Sequence, residues 1–115
     1  MSEIQMIARL AIHEGKLEEF KVHAAECMRA VRERDSSTTL QYDWFLNEAQ
    51  TECVVRETYK DSEALLAHIA NQGDAMGAML GVGDWTFEML GSPSAELVAA
   101  LAGVSLKIYS PFQSI

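Results

Sequence analysis

A single histidine stands among leucines, an isoleucine and alanines in the stretch ETYKDSEALLAHIANQG, residues 57–73. An imidazole is the side chain best suited to moving a proton near neutral pH. On a helical wheel centred on Leu65 and Ile69, His68 falls on the shoulder of the apolar stripe, at the rim of whatever space the helix and its sheet enclose. Two readings follow. His68 is either a boundary histidine bonded to a backbone carbonyl or to a neighbour such as Glu57, or a group lining a pocket and able to act as a general base. Tyr42, Trp44, Tyr59 and Trp85 are ambiguous in the same way: they are core residues, or the walls of a flat apolar slot with a few donors, which an aromatic ring would fit.

Other chemistry has less support. His13, His23 and His68 are scattered over three elements, so neither a metal site nor a metal cofactor is expected. Cys27 and Cys53 fall in a helix stripe and a strand, without a basic neighbour or helix N-terminus to lower their pKa, and read as inert buried thiols of a reducing compartment. The segment GVGDW lacks the strand-before, helix-after context of a phosphate loop, which leaves nucleotide and flavin binding without a motif. Arg9 and Arg56 read as salt-bridge partners of Asp43 or Glu57.

The elements that must position these groups can be read from periodicity. Residues 4–12, IQMIARLAI, alternate as a strand, and residues 16–33 carry Leu17, Phe20, Ala24, Cys27, Met28 and Val31 at helical spacing. Residues 39–47 and 53–59 form two strands joined by NEAQTE, a hairpin. Asp61 or Ser62 caps the helix that bears His68, and Gly73 can end it. In DAMGAMLGVG, methionines and glycines suggest either a frayed helix end or a mobile cover. WTFEML, residues 85–90, is a fourth strand. A helix capped by Ser92, with Pro93 at its first position and Gly103 as its stop, precedes a fifth strand in VSLKIYSPF. The order β-α-β-β-α-β, with a C-terminal helix and strand added, predicts an α+β, ferredoxin-like antiparallel sheet with helices on one face, in a single domain over residues 1–115. Apolar residues on both strand faces (Ile7 with Met6, Phe45 with Trp44, Val54 with Val55) point to a homodimer that packs sheet on sheet.

The tyrosine in QYDWF, the glutamate and aromatic in ETY, and the acidic-serine cap before EALLAHI resemble the antibiotic-biosynthesis monooxygenase superfamily of dimeric α+β barrels, in particular its quinol-monooxygenase-like members. The likeness covers about the first 70 residues, and the ending GSPSAELVAALAGVSLKIYSPF is similar to the tails of many small proteins of this group. It implies cofactor-independent monooxygenation of a small aromatic phenol or quinol. His68 would be the base, Tyr42 and Tyr59 would orient the substrate hydroxyl, Glu57 would share the binding site, and Trp44 and Trp85 would be its walls. It equally admits a non-catalytic small-molecule-binding dimer, or an isomerase or lyase of a small metabolite. Many relatives carry a second histidine in an HxxxxH segment where this chain has Gly73, and haem-degrading relatives need an axial histidine in the region of Ala78. Neither a two-histidine site nor haem is therefore expected.

The whole-chain balance agrees with a small-molecule protein. Nine Lys+Arg against 17 Asp+Glu give a net charge of −8, which repels nucleic acid and anionic membranes. No apolar run approaches the roughly 20 residues of a membrane helix, and the N-terminus lacks a basic n-region, so a soluble, cytoplasmic protein is expected.

Overall fold

The computed structural model describes residues 3–115. Strand β1 (Ile4–Ile12) is followed by helix α1 (Leu17–Ala30), which widens into a π-helical turn, Val31–Asp35, before β2 (Thr39–Leu46) and β3 (Glu52–Tyr59). Helices α2 (Ser62–Gln72) and α3 (Asp74–Leu80) lead to β4 (Gly83–Leu90), α4 (Ala95–Ala100) and β5 (Leu106–Tyr109). The sheet order is β2-β3-β1-β4-β5. Its first four strands are antiparallel neighbours, which is the ferredoxin-like arrangement, and β5 adds to β4 in parallel.

Register explains which side chains share a face. Across the sheet Tyr42 lies opposite Glu57, Glu57 opposite Met6, and Met6 opposite Met89. The next row runs Trp44, Val55, Ala8, Phe87, and Leu10 faces Trp85 one row further on. Alternation in each strand turns all of these toward the helices. Ala8, buried between Val55 and Phe87, is the small residue of its row and leaves the sheet floor hollow there. Two clusters of core residues result, one containing Phe20, Cys53 and Val82 beneath α1, the other containing Ile4, Tyr59, Leu65 and Leu97 beneath α2 and α4.

Details depart from the sequence reading in instructive places. DAMGAML is a helix in its own right, α3, entered through Gly73, whose φ of 57° is a left-handed value that glycine adopts without strain. Asp61, rather than Ser62, caps α2 by accepting from the Ala64 amide at 2.8 Å. The cap of α4 is Ser94, not Ser92, with its hydroxyl bonded to the Leu97 amide, so Pro93 lies before the helix and not inside it. Arg9 approaches Glu88 at 3.8 Å rather than Asp43 or Glu57. The outer sheet face carries half-buried Ile7 and Val54 and exposed Phe45, but among the charged residues Arg9, Asp43 and Arg56. No helix among the described residues is long and apolar enough to cross a membrane.

Candidate active site

A cavity of about 100 Å³ opens at the seam between the two core clusters. Tyr42, Trp44, Glu57 and Trp85 from the strands, His68 and Gln72 from α2, Met76 and Leu80 from α3, and Cys27 from α1 line it. Leu80, one of the lining residues, is also 42% exposed. Its volume is on the scale of the hydrocarbon-lined cavity of about 150 Å³ that takes up benzene.

His68 is buried, 3% exposed, inside the helix–sheet interface and not at its rim. Its partner is Asp35, not Glu57: His68 Nδ1 stands 3.0 Å from Asp35 Oδ2, and the Asp35 side chain is itself 1% exposed. The same carboxylate oxygen accepts the Thr39 hydroxyl at 2.5 Å, and Asp35 Oδ1 accepts from Asn71 Nδ2 at 3.4 Å. Arg34 of the same π-helical turn donates to the Asn71 carbonyl at 2.6 Å, so the turn grips the end of α2 at two points. A carboxylate can only accept, so the neutral imidazole places its proton on Nδ1 and keeps its lone pair on Nε2. Burial holds the His68 pKa below the ordinary value near 6.5, against the opposing hydrogen bond and charge of Asp35. His68 is therefore neutral at physiological pH, with a basic nitrogen available and a carboxylate behind it to stabilise the cation it becomes.

A second ionisable group shares the cavity. Desolvation raises the Glu57 carboxyl to about 7, against a hydrogen bond from Tyr59 that lowers it. Tyr59 is fully buried, donates its hydroxyl to Glu57 Oε1 and does not reach the cavity wall, so it positions Glu57 from behind. The rings of Tyr42 and Tyr59 flank the imidazole, with centroids 5.2 and 5.1 Å away. Burial, then the nearby Glu57 charge, raises the Tyr42 phenol far above its ordinary value, and the Cys27 thiol beside it is pushed up to about 11 by burial. Both stay protonated at neutral pH.

The aromatic walls differ in their polar atoms. Trp85 stacks on Phe87 (centroids 5.7 Å apart, 5° between planes) and donates Nε1 to the Met79 carbonyl at 3.1 Å. Trp44 packs edge-on to Tyr42, and its buried Nε1 has no partner among the described residues. Gln72 donates Nε2 to the Cys27 carbonyl at 3.1 Å, while its buried Oε1 has no partner among the described residues. Of the residues expected at the site, the structure brings His68, Tyr42, Trp44, Glu57 and Trp85 to one cavity and sets Tyr59 behind it. Asp35 and Gln72 went unanticipated. Gln72 lies one helical turn beyond His68, and that spacing is a signal the sequence does carry. Asp35 sits in the run VRERDSS, where nothing distinguishes it from a solvated charge. Among the described residues no three His, Cys, Asp or Glu side chains converge as a metal site.

This fold is shared with known proteins. The family model for antibiotic biosynthesis monooxygenase matches residues 4–77, which hold β1 through most of α3 and every cavity group named above except Leu80 and Trp85. The chain belongs to that family. MupZ from Pseudomonas fluorescens superposes over 100% of this chain and 94% of its own, with a TM-score of 0.82 at 21% identity. SnoaB from Streptomyces nogalater, a cofactor-independent oxygenase, superposes over 83% of this chain and 97% of its own, with a TM-score of 0.68 at 12% identity. A conserved protein of Methanosarcina mazei gives a TM-score of 0.68 at 15% identity, over 77% of this chain and 91% of its own. At these identities the likeness is one of fold. No curated protein sequence matches the chain.

Proposed function

We propose that the protein is a cofactor-independent monooxygenase of a small aromatic phenol or quinol, with His68 as the general base. The observation that carries this reading is the buried His68–Asp35 pair, whose free Nε2 belongs to a residue lining an apolar, ring-sized cavity. His68 takes the proton of the substrate hydroxyl, and the resulting anion passes one electron to molecular oxygen. The ring radical and superoxide combine at a ring carbon bearing hydrogen, the peroxide takes a proton, and loss of water leaves a carbonyl there. One oxygen molecule is consumed, one oxygen atom stays on the ring and the other leaves as water. Tyr42, protonated throughout, donates to the substrate oxygen, Trp44 and Trp85 exclude water, Glu57, held by Tyr59, shares the binding site, and His68 returns its proton to the peroxide and ends the cycle neutral. A homodimer that covers Ile7, Phe45 and Val54 is part of the same reading. Membership of the family and the fold shared with SnoaB support it.

A second reading, isomerisation of a small metabolite, is favoured by one observation: a carboxyl with a pKa of about 7 is acid and base in comparable amounts at neutral pH and shares the cavity with a neutral imidazole. Isotopically labelled oxygen separates the two. Monooxygenation predicts one labelled atom in the product and one oxygen molecule consumed per substrate. Conversion of substrate with no oxygen uptake would move the assignment to the isomerase.

A further inference from the structure

The carboxylate behind His68 has three side-chain partners. Asp35 Oδ2 receives both the Thr39 hydroxyl, at 2.5 Å, and His68 Nδ1, at 3.0 Å, while Oδ1 receives Asn71. A carboxylate only accepts, so the threonine must donate, and two donors share one oxygen.

Thr39 reaches Asp35 through an irregularity in β2. Tyr42 and Trp44 face the helices, so unbroken alternation would turn Leu40 inward and Thr39 outward. The register shifts between Thr39 and Gln41: Gln41 lies opposite Thr58 and Thr39 opposite Tyr59, which leaves Leu40 as the extra residue. This is a β-bulge, a device by which a strand re-aims one side chain. Leu40 is 53% exposed as a result, and Thr39 is buried on the face that carries Tyr59 and Glu57. The chain between the π-helical turn and β2 is fixed as well, because the Thr38 amide donates to the Asp35 carbonyl at 3.2 Å and the Lys60 amide to the Thr38 carbonyl at 3.0 Å. A hydroxyl thus meets Asp35 where plain alternation would have set a leucine.

We propose that Thr39 is a positioning residue for His68 that acts through Asp35: its hydroxyl pins Oδ2 and takes up part of the carboxylate's charge, so that Asp35 orients the imidazole without holding it in its protonated form. This inference rests on His68 being the base of the proposed reaction. The other titratable groups that face the imidazole or share its cavity are Tyr42 on β2, Glu57 and Tyr59 on β3, and Cys27 on α1. Burial keeps the two tyrosines and the thiol protonated at neutral pH, which leaves Glu57 as the group among them that charges over the same range as an imidazole.

NMR titration of ring-labelled histidine follows His68 directly, with its signal identified by its absence from His68→Gln, and a Glu57→Gln background removes the competing titration. Thr39→Val keeps the shape of the side chain and removes the donor. The His68 midpoint should then rise by about 0.5 to 1 pH unit, because Oδ2 is left to the imidazolium alone. Thr39→Ser keeps the hydroxyl and should titrate at the wild-type midpoint. If circular dichroism shows Thr39→Val unfolded, Thr39→Cys, whose thiol is a weak donor, should move the midpoint in the same direction. With Glu57 restored, the acid limb of kcat/KM for oxygen uptake should shift upward with the midpoint, while kcat on the plateau changes little. A folded Thr39→Val or Thr39→Cys that melts lower but titrates His68 at or below the wild-type midpoint would overturn the proposal and leave Thr39 a packing residue. A raised midpoint in a protein without oxygen uptake would remove the monooxygenase reading and leave the hold of Thr39 on the His68–Asp35 pair standing.

Discussion

At the scale of single residues, the chemistry open to the cavity depends on which side chains hold charge inside it. His68 is legible as a candidate because an imidazole in an aliphatic stripe is conspicuous, yet it lies deeper than the helical wheel places it. The buried face of α2 is Ala64, Leu65, His68 and Gln72, and a wheel centred on apolar residues alone is pulled toward half-buried Ile69. The role of Asp35 follows from its tautomeric control. Asp35→Asn can donate an amide hydrogen to Nδ1 and so move the imidazole proton to Nε2, which removes the base without emptying the site; kcat should fall by roughly 10² to 10⁴ while ligand affinity changes little. Stopped-flow turnover with calorimetry on the same variant checks it. Glu57 makes a separate thermodynamic prediction. Its folded pKa, raised from 4.5 to about 7, means that the stability linked to its proton is present below pH 4.5 and is lost as pH rises through 7. Glu57→Gln removes that loss, so its melting temperature should exceed the wild-type value by roughly 3 to 8 °C at pH 8.5 and match it near pH 4, by scanning calorimetry at both values.

At the scale of elements, the strands were readable almost to the residue, because alternation survives wherever one face is buried; β1 and the β2–β3 hairpin fall where the pattern puts them. The two elements that complete the site, one supporting His68 and one lining the cavity, were not. The π-helical turn carries no periodicity of its own, and only its tertiary bonds to Thr39, His68 and Asn71 reveal it as the support of the dyad. Helix α3 is seven residues long and contains Gly77, which lowers helix propensity below what a short pattern can reveal. The glycines around it differ sharply. A Cβ on Gly83 would lie 2.2 Å from the Ala11 carbonyl oxygen, because β4 runs close against β1 there, so Gly83→Ala should destabilise by about 1–3 kcal/mol. A Cβ on Gly77 meets nothing within 4 Å, and Gly77→Ala should be neutral or stabilising by up to about 1 kcal/mol. Urea denaturation of the two variants side by side reads the contrast.

At the scale of the whole molecule, the fold class was fully legible, since element order and a tight hairpin leave few alternatives to the ferredoxin-like sheet, and membership of the monooxygenase family agrees with it. The outer sheet face is less apolar than strand alternation alone suggests, because Ile7, Phe45 and Val54 sit among Arg9, Asp43 and Arg56. Homodimerisation over that face predicts twice the 12.7 kDa chain mass by light scattering at micromolar concentration, and Phe45→Glu, which buries a charge against the partner sheet, should shift the protein toward monomer. The central claim is that His68 works through its ring nitrogen and not its bulk. Oxygen uptake by the His68→Gln variant with a quinol substrate tests it most directly, because glutamine keeps much of the volume and a hydrogen bond but no base. Uptake should fall by a factor on the order of 10² to 10⁴ with substrate affinity little changed. Uptake at the wild-type rate, accompanied only by a lower melting temperature, would contradict it and leave His68 a structural partner of Asp35.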